Sequence, residues 1–133
     1  MTQEEKSLLY KDLCARLPYG VILQVTLKDK YDEVVTRDIR LTSGNISYLE
    51  QTSGHWFEYK PYLRPMKSMT AEEQHETIGF NRTLDLGPIK NWVNYTITNP
   101  EFVDWLIKHH FDWRNFIGMG LALPATKDMY KNF

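Results

Sequence analysis

The stretch "VILQVTLKDKYDEVVTRDIRLT" (Val21–Thr42) decides the fold class of this chain. Every second position from Val21 to Leu27 is apolar, which is the period of a strand with one buried face. The polar "KDKYD" that follows has the composition of a hairpin loop, and another β-prone run comes after it. We therefore predict two adjacent antiparallel strands over residues 20–28 and 33–42.

Turn signals beyond this hairpin predict further strands. The tripeptides "SGN" and "TSG" bound a candidate strand over residues 46–51, and another follows over residues 55–62. Pro61 is expected at a strand end or on an edge, because proline cannot donate to a β-ladder. "WVNYTIT" (Trp92–Thr98) is a weaker fifth candidate. Four short strands predict a small antiparallel β-meander. A strongly bent meander builds an SH3-like barrel, and an open sheet covered by helices fits the same pattern.

Helix-start signals lie on both sides of the predicted strands. Thr2 and Thr70 each begin a capping-box pattern, Asn99–Pro100 is a typical helix start, and Asp112 is a capping residue. The predicted helices cover residues 3–16, 71–78, 100–110 and 113–118. Residues 124–133 have no periodic pattern, so we expect a partly ordered tail. The prediction is a single α+β domain over residues 1–133, with an N-terminal helix and C-terminal helices packed on the sheet.

Composition and charge narrow the class of protein. The chain has 133 residues, 42% of them apolar and 14% aromatic, as in folded domains. Sixteen basic and seventeen acidic residues give a net charge of −1, so no general field attracts nucleic acid or anionic lipid. No run approaches the roughly 20 apolar residues of a membrane span, and the N-terminus lacks the basic start of a signal peptide. We expect a cytoplasmic protein that does not insert into membranes and has no overall charge that favours nucleic acid, although the net charge does not exclude a local basic patch.

Cysteine and histidine content argues against a metal or cofactor. Cys14 is the only cysteine, which excludes an intramolecular disulfide and a multi-cysteine metal site, and we expect it to be a small buried residue. His109 and His110 are adjacent, so on a helix they point about 100° apart and cannot easily share a metal ion. The sequence also lacks glycine-rich phosphate-binding motifs. No cofactor and no metal site are predicted.

The aromatic segment "HWFEYKPYLRP" (His55–Pro65) is the first candidate site. Aromatic rings beside cationic side chains are common in protein interfaces and in platforms that stack single-stranded nucleic acid. On a strand, however, half of these residues must face the core. The candidate binding residues are Trp56, Tyr59, Lys60, Tyr62 and Arg64. They favour a non-enzymatic interaction module that binds a protein partner or a second copy of the chain. The alternative is a single-stranded nucleic-acid binder that uses the aromatic strand over residues 56–62.

The corner "IKHHFDW" (Ile107–Trp113) is the alternative site. The corner contains a cluster of ionisable groups: His109, His110 and Asp112. These groups could supply the acid and the base of a small hydrolase or nuclease. The competing interpretation is structural: the histidines end a helix, where an imidazole complements the helix dipole, and Asp112 caps the next helix. Both hypotheses remain open from the sequence.

Three motif groups carry a resemblance to known proteins: "KDLCARLPYGV" (Lys11–Val21), "KPYLRPMKSMTAEE" (Lys60–Glu73), and "DWLIKHHFDWRNFIGMGLAL" (Asp104–Leu123) with a following Met129–Tyr130. In these segments the chain resembles a family of short proteins of gut anaerobic bacteria and their prophages. That family has no assigned activity. The resemblance implies a phage- or mobile-element-associated protein and supplies no catalytic residues.

Overall fold

Residues 2–49, 56–77, 100–126 and 128–130 are described by a computed structural model. They divide into two compact units, the first formed by residues 1–62 with 121–123 and the second by residues 63–120 with 124–133. The helices are α1 (Gln3–Arg16), α2 (Ala71–Glu76) and α3 (Pro100–Lys108). The strands are β1 (Ile22–Lys28), β2 (Val34–Arg40), β3 (Glu58–Leu63) and β4 (Leu123–Pro124). The predicted α+β class and N-terminal helix are confirmed.

The sheet is open, and its strand order is β2-β1-β3-β4. β1 pairs antiparallel with both β2 and β3, whereas a meander would place β3 beside β2. The predicted meander is therefore wrong, and the described sheet is not closed into an SH3-like barrel. The reason lies in residues 46–49, which form a helical turn, so this segment does not continue the sheet beyond β2.

Hydrogen bonds at the two ends of the β1–β2 hairpin define its register. Leu41 N–H donates to the Val21 carbonyl at 2.9 Å, and Asp29 N–H donates to the Glu33 carbonyl at 2.9 Å. In an antiparallel ladder, the backbone N–H and C=O groups of successive residues point alternately to the two neighbouring strands. The odd-numbered residues of β1 therefore form hydrogen bonds with β2, and the even-numbered residues form them with β3. Pro61 lies opposite odd-numbered residue Leu23. Its nitrogen therefore points away from β1, which allows proline inside β3 rather than only at its end.

The predicted strand over residues 46–51 is a 3₁₀ helix at Ile46–Leu49. Asn45 explains the difference, because its side chain accepts a hydrogen bond from Thr42 N–H at 2.8 Å and donates one to the Arg40 carbonyl at 3.0 Å. These bonds stabilise a tight turn directly after β2. Leu49 is buried in this helical turn. Burial of an apolar residue in this segment therefore does not require a strand.

Helix α1 follows its sequence signals closely. The predicted capping box is present, with Thr2 N–H bonded to the Glu5 carboxylate at 2.8 Å and Glu5 N–H bonded to the Thr2 hydroxyl at 3.0 Å. The helix buries Asp12 and Arg16 together with two leucines on one face. Cys14 points to the opposite side and is exposed, which corrects the expectation of a buried thiol.

The second unit holds a core in which a methionine pair, two phenylalanines and a leucine are buried: Met66, Met69, Phe102, Leu106 and Phe111. The second capping box, at Thr70 and Glu73, is also present, and α2 ends at Glu76 rather than at residue 78. Among the described residues, no helix is long and apolar enough to cross a lipid bilayer.

Residues 113–118 form successive turns instead of the predicted helix. Asn115 has φ +61°, a left-handed conformation that interrupts helical geometry after one turn. Within the predicted partly ordered tail, Pro124 belongs to β4 and Tyr130 is buried. The predicted strand at Trp92–Thr98 lies outside the described residues.

Candidate functional site

Two of the predicted binding residues belong to the core of the first unit. Trp56 is 5% exposed and meets Tyr48 edge-on, with ring centroids 5.3 Å apart. Tyr59 is 3% exposed and donates its hydroxyl to the Leu49 carbonyl at 3.3 Å, and burial raises the pKa of this phenol. Neither ring presents a face on which a nucleic-acid base could stack.

Lys60 and Tyr62 lie on the opposite face of β3, where they join a polar network. The Tyr62 hydroxyl donates to Asp38 Oδ1 at 2.9 Å and accepts from Gln24 Nε2 at 3.2 Å. Burial and the hydrogen bond to the Asp38 carboxylate raise the pKa of Tyr62. Lys60 Nζ lies 3.7 Å from Glu58 Oε1. Polar side chains on this half-exposed face therefore interact with one another.

Phe57 is the aromatic residue of this segment that the structure exposes, at 49%. Val34 and Tyr31 are exposed at 64% and 72%. The three residues, here termed the hairpin-end patch, share one end of the β1–β2 hairpin. Lys28 lies beside two of them, because its Nζ is 5.9 Å from the Phe57 ring centroid and its backbone is the register partner of Val34. The patch therefore combines apolar side chains with a cation.

Phe57 belongs to the aromatic segment, but its position in the strand does not predict exposure. Strand alternation groups it with buried Tyr59 and Leu63, and so predicts a core position. The chain bends at residue 57, before β3 begins, and this bend turns the ring toward solvent. Only the three-dimensional course of the chain separates Phe57 from its neighbours.

Arg64, the last predicted binding residue, belongs to the second unit and serves its structure. Its guanidinium binds the Glu73 carboxylate with two hydrogen bonds of 2.7 and 2.6 Å and lies 4.1 Å from the Phe111 ring centroid. Burial, the largest influence, raises the pKa of Glu73, but hydrogen bonds from Arg64 and Thr70 and the Arg64 charge outweigh it and lower the pKa. The Glu73 carboxylate thus binds the Arg64 guanidinium and also caps the N-terminus of α2.

His109 faces this ion pair. Its Nδ1 lies 4.0 Å from Glu73 Oε2, which is too long for a hydrogen bond, and its ring centroid lies 4.2 Å from that of Trp105. Burial lowers the pKa of His109, although the Glu73 and Glu76 carboxylates act in the opposite direction. Burial therefore favours the neutral form of this imidazole.

His110 ends helix α3. Its φ is +67°, its N–H donates to the Ile107 carbonyl at 3.1 Å, and Phe111 N–H donates to the Leu106 carbonyl at 2.9 Å. This is the Schellman pattern of a helix C-terminus, with histidine where glycine is usual. The imidazole stacks on Tyr130, with ring centroids 3.7 Å apart and planes 8° apart.

Asp112 uses both carboxylate oxygens on the backbone of the following turn. Oδ1 accepts from Phe116 N–H at 2.7 Å, and Oδ2 accepts from Ile117 N–H at 2.9 Å. His109 faces Glu73, His110 stacks on Tyr130, and Asp112 caps the turns after it. These contacts join the three corner residues to a carboxylate, to an aromatic ring and to the backbone, respectively.

A cleft of about 760 Å³ in the second unit lies beside this corner. Arg64, Glu73 and Tyr130 line it together with hydroxyl-bearing residues. The Ser68 hydroxyl donates to the Pro65 carbonyl at 2.7 Å, which directs it to the backbone rather than to a base. In the described part of the chain, no group of three or more His, Cys, Asp or Glu side chains could hold a metal ion.

Replacing Asp112 by alanine is expected to reduce the free energy of unfolding by about 1–2 kcal/mol, because two backbone N–H groups lose their acceptor. Urea denaturation measures the change. Asp104→Ala, at an exposed position on α3, is the matched control and is expected to stay within about 0.5 kcal/mol of the original protein. An Asp112→Ala protein as stable as this control contradicts the capping role.

Comparison with known proteins gives no matching family model, no matching curated protein and no matching solved structure. The resemblance to prophage proteins therefore stays a prediction. The function has to be inferred from the contacts and exposure of the described residues.

Proposed function

We propose that this protein is a non-enzymatic interaction module whose hairpin-end patch binds a partner protein. The exposure of Phe57, Val34 and Tyr31 at one end of a single hairpin carries this proposal. Aromatic side chains are enriched in protein interfaces, and large apolar side chains exposed near one another often mark binding surfaces. Lys28 beside the patch adds a cation to its border.

The surroundings of the patch support a binding role over a purely structural one. Trp56 and Tyr59 are buried in the first unit, whereas Phe57, between them in the chain, is exposed. The hairpin loop is ordered by its own polar groups, because Asp29 Oδ1 accepts from Tyr31 N–H at 2.8 Å and from Glu33 N–H at 3.0 Å. A preordered loop loses little conformational entropy on binding.

The proposal includes a cytoplasmic location and association with a phage or another mobile element. The single, exposed Cys14 suits a reducing compartment. The motifs at Lys11–Val21, Lys60–Glu73 and Asp104–Leu123 support the mobile-element origin through the resemblance they carry.

The test compares capture of host proteins by the tagged full chain and by Phe57→Ser. A partner recovered by the original protein should bind Phe57→Ser about thirty-fold more weakly, since an interface anchor contributes about 2 kcal/mol. Tyr19→Ser removes a similarly exposed aromatic, 41% exposed and outside the patch, and should leave binding unchanged. Purified partner and isothermal titration calorimetry give the dissociation constants.

Equal recovery of every captured protein by the original chain and Phe57→Ser contradicts the proposal. Thermal unfolding of both variants checks that lost binding does not reflect lost folding. Because Phe57 is half exposed, its replacement is expected to lower the melting temperature by only a few degrees.

A further inference from the structure

The outer edge of β2 is the second binding feature of the first unit. β2 bonds β1 through its odd-numbered residues, as the Leu41–Val21 and Asp29–Glu33 hydrogen bonds show. The backbone N–H and C=O groups of Val34, Thr36 and Asp38 therefore point away from the sheet. Among the described residues, no strand pairs with this edge.

This edge is accessible along a defined window. Residues 36–38 are exposed, and only Val35 and Ile39 are half-buried within β2. Asn45 closes one end of the window, because its Nδ2 donates to the outward-pointing Arg40 carbonyl at 3.0 Å. The hairpin loop closes the other end. Residues 34–38 thus present an open backbone that can accept one short strand.

The side chains of the window define the chemistry of such a strand. Residues directly opposite each other in an antiparallel pair lie on the same face, and opposite charges there attract. A strand antiparallel to β2 meets Asp38 first, then Arg37, and lastly Val35 and Val34. From its N-terminus to its C-terminus, the complementary strand carries a cation, an anion, any residue and two apolar residues.

A second copy of β2 does not meet these requirements. Arg37 and Asp38 lie on opposite faces of the strand, so they cannot face each other across a two-fold axis. The antiparallel registers available within the window place Arg37 opposite Arg37, Asp38 opposite Asp38, or both residues opposite valines. Arg37 and Asp38 thus disfavour pairing of β2 with a second copy of itself or with a wholly apolar strand. They allow pairing with a strand of the complementary charge pattern.

We propose that an extended segment of the partner protein adds antiparallel to the edge of β2 with the order cation, anion, any residue, apolar, apolar. This inference rests on the proposed function, because Val34 belongs to both the hairpin-end patch and the edge. The backbone hydrogen bonds of the added strand supply affinity, and Arg37 and Asp38 select its charges.

The test uses two synthetic peptides of identical composition, acetyl-KETVV-amide and acetyl-EKTVV-amide, titrated into the labelled full chain and followed by amide NMR. KETVV should shift the amide signals of residues 34–38 and bind roughly threefold to tenfold more tightly than EKTVV. The double variant Arg37→Asp with Asp38→Arg should reverse this preference. Equal binding of the two peptides, or no shift at these amides at millimolar concentration, overturns the inference.

Thr36→Pro tests the backbone directly. It removes an outward N–H without affecting the β1 ladder, so the sheet is retained and KETVV binding should be lost. Thr36→Val keeps the N–H and should bind the peptide normally. Sedimentation velocity of the chain without peptide completes the test. If the chain forms a dimer and Thr36→Pro abolishes that dimer, the edge binds a second copy of the chain. This result overturns the proposal of a partner strand.

These experiments separate the inference from the proposed function. If the captured partner loses affinity for Phe57→Ser and keeps it for Thr36→Pro, the hairpin-end patch stands and the added strand is wrong. If KETVV binds residues 34–38 but Phe57→Ser captures every partner normally, the edge stands and the patch is wrong.

Discussion

Replacing Asp12 by alanine is expected to lower the free energy of unfolding by about 3–5 kcal/mol. Asp12 Oδ2 lies 2.6 Å from Arg16 Nε, and both side chains are fully buried. A buried guanidinium that loses its carboxylate retains the cost of desolvation and loses the attraction that offsets it. Urea denaturation followed by far-UV circular dichroism measures the loss. Lys11→Ala, at the exposed neighbouring position, should change stability by less than about 0.5 kcal/mol.

A double variant distinguishes the charge effect from the loss of packing. Asp12→Leu combined with Arg16→Met replaces the ion pair by apolar groups, and should recover most of the stability that Asp12→Ala loses. If Asp12→Ala is as stable as Lys11→Ala, the buried ion pair does not contribute as the geometry indicates. If the double variant is no more stable than Asp12→Ala, packing rather than charge explains the loss.

Replacing Phe111 by alanine is expected to cost about 3–5 kcal/mol. The Phe111 ring is fully buried, stacks on Trp105 with centroids 5.8 Å apart, and carries the Arg64 guanidinium on its face. Its removal leaves a cavity and also disturbs the ion pair between Arg64 and Glu73. Denaturant unfolding of the full chain measures the effect.

Phe57→Ala is the matched control for Phe111→Ala, because it deletes the same side chain at a half-exposed position. It should cost roughly 1 kcal/mol or less. Equal losses for the two variants contradict either the burial of Phe111 or the exposure of Phe57. A small loss for Phe111→Ala alone shows that the core of the second unit can close around the vacancy.

The features that the sequence predicted correctly depend on neighbours in the chain. The capping boxes at Thr2 and Thr70 form because the capping side chain and the glutamate three residues later are adjacent on the first helical turn. The β1–β2 hairpin follows from alternation in the first strand, a polar loop and a second β-prone run. The local pattern also predicts that a helix ends at this corner. Helix α3 ends at Lys108 rather than at residue 110, and the left-handed conformation of His110 was not predicted.

The errors arose where a distant contact or one special residue decided the structure. Asn45 converts the predicted third strand into a helical turn through bonds to Arg40 and Thr42. Asn115 interrupts the last predicted helix by its left-handed conformation. Both residues are common in turns, but their effect on the neighbouring segment depends on contacts that the pattern of apolar residues does not record.

The candidate site shows the same division. The sequence by itself determined the α+β class, the capped helices and an aromatic segment with interaction chemistry, because propensity and periodicity act over a few neighbouring residues. Only the tertiary structure decided that Trp56 and Tyr59 enter the core while Phe57 faces solvent, and that β3 joins β1 and leaves β2 at an edge. Strand partners and exposed faces depend on which distant surfaces bury apolar area together, and no local pattern contains that information.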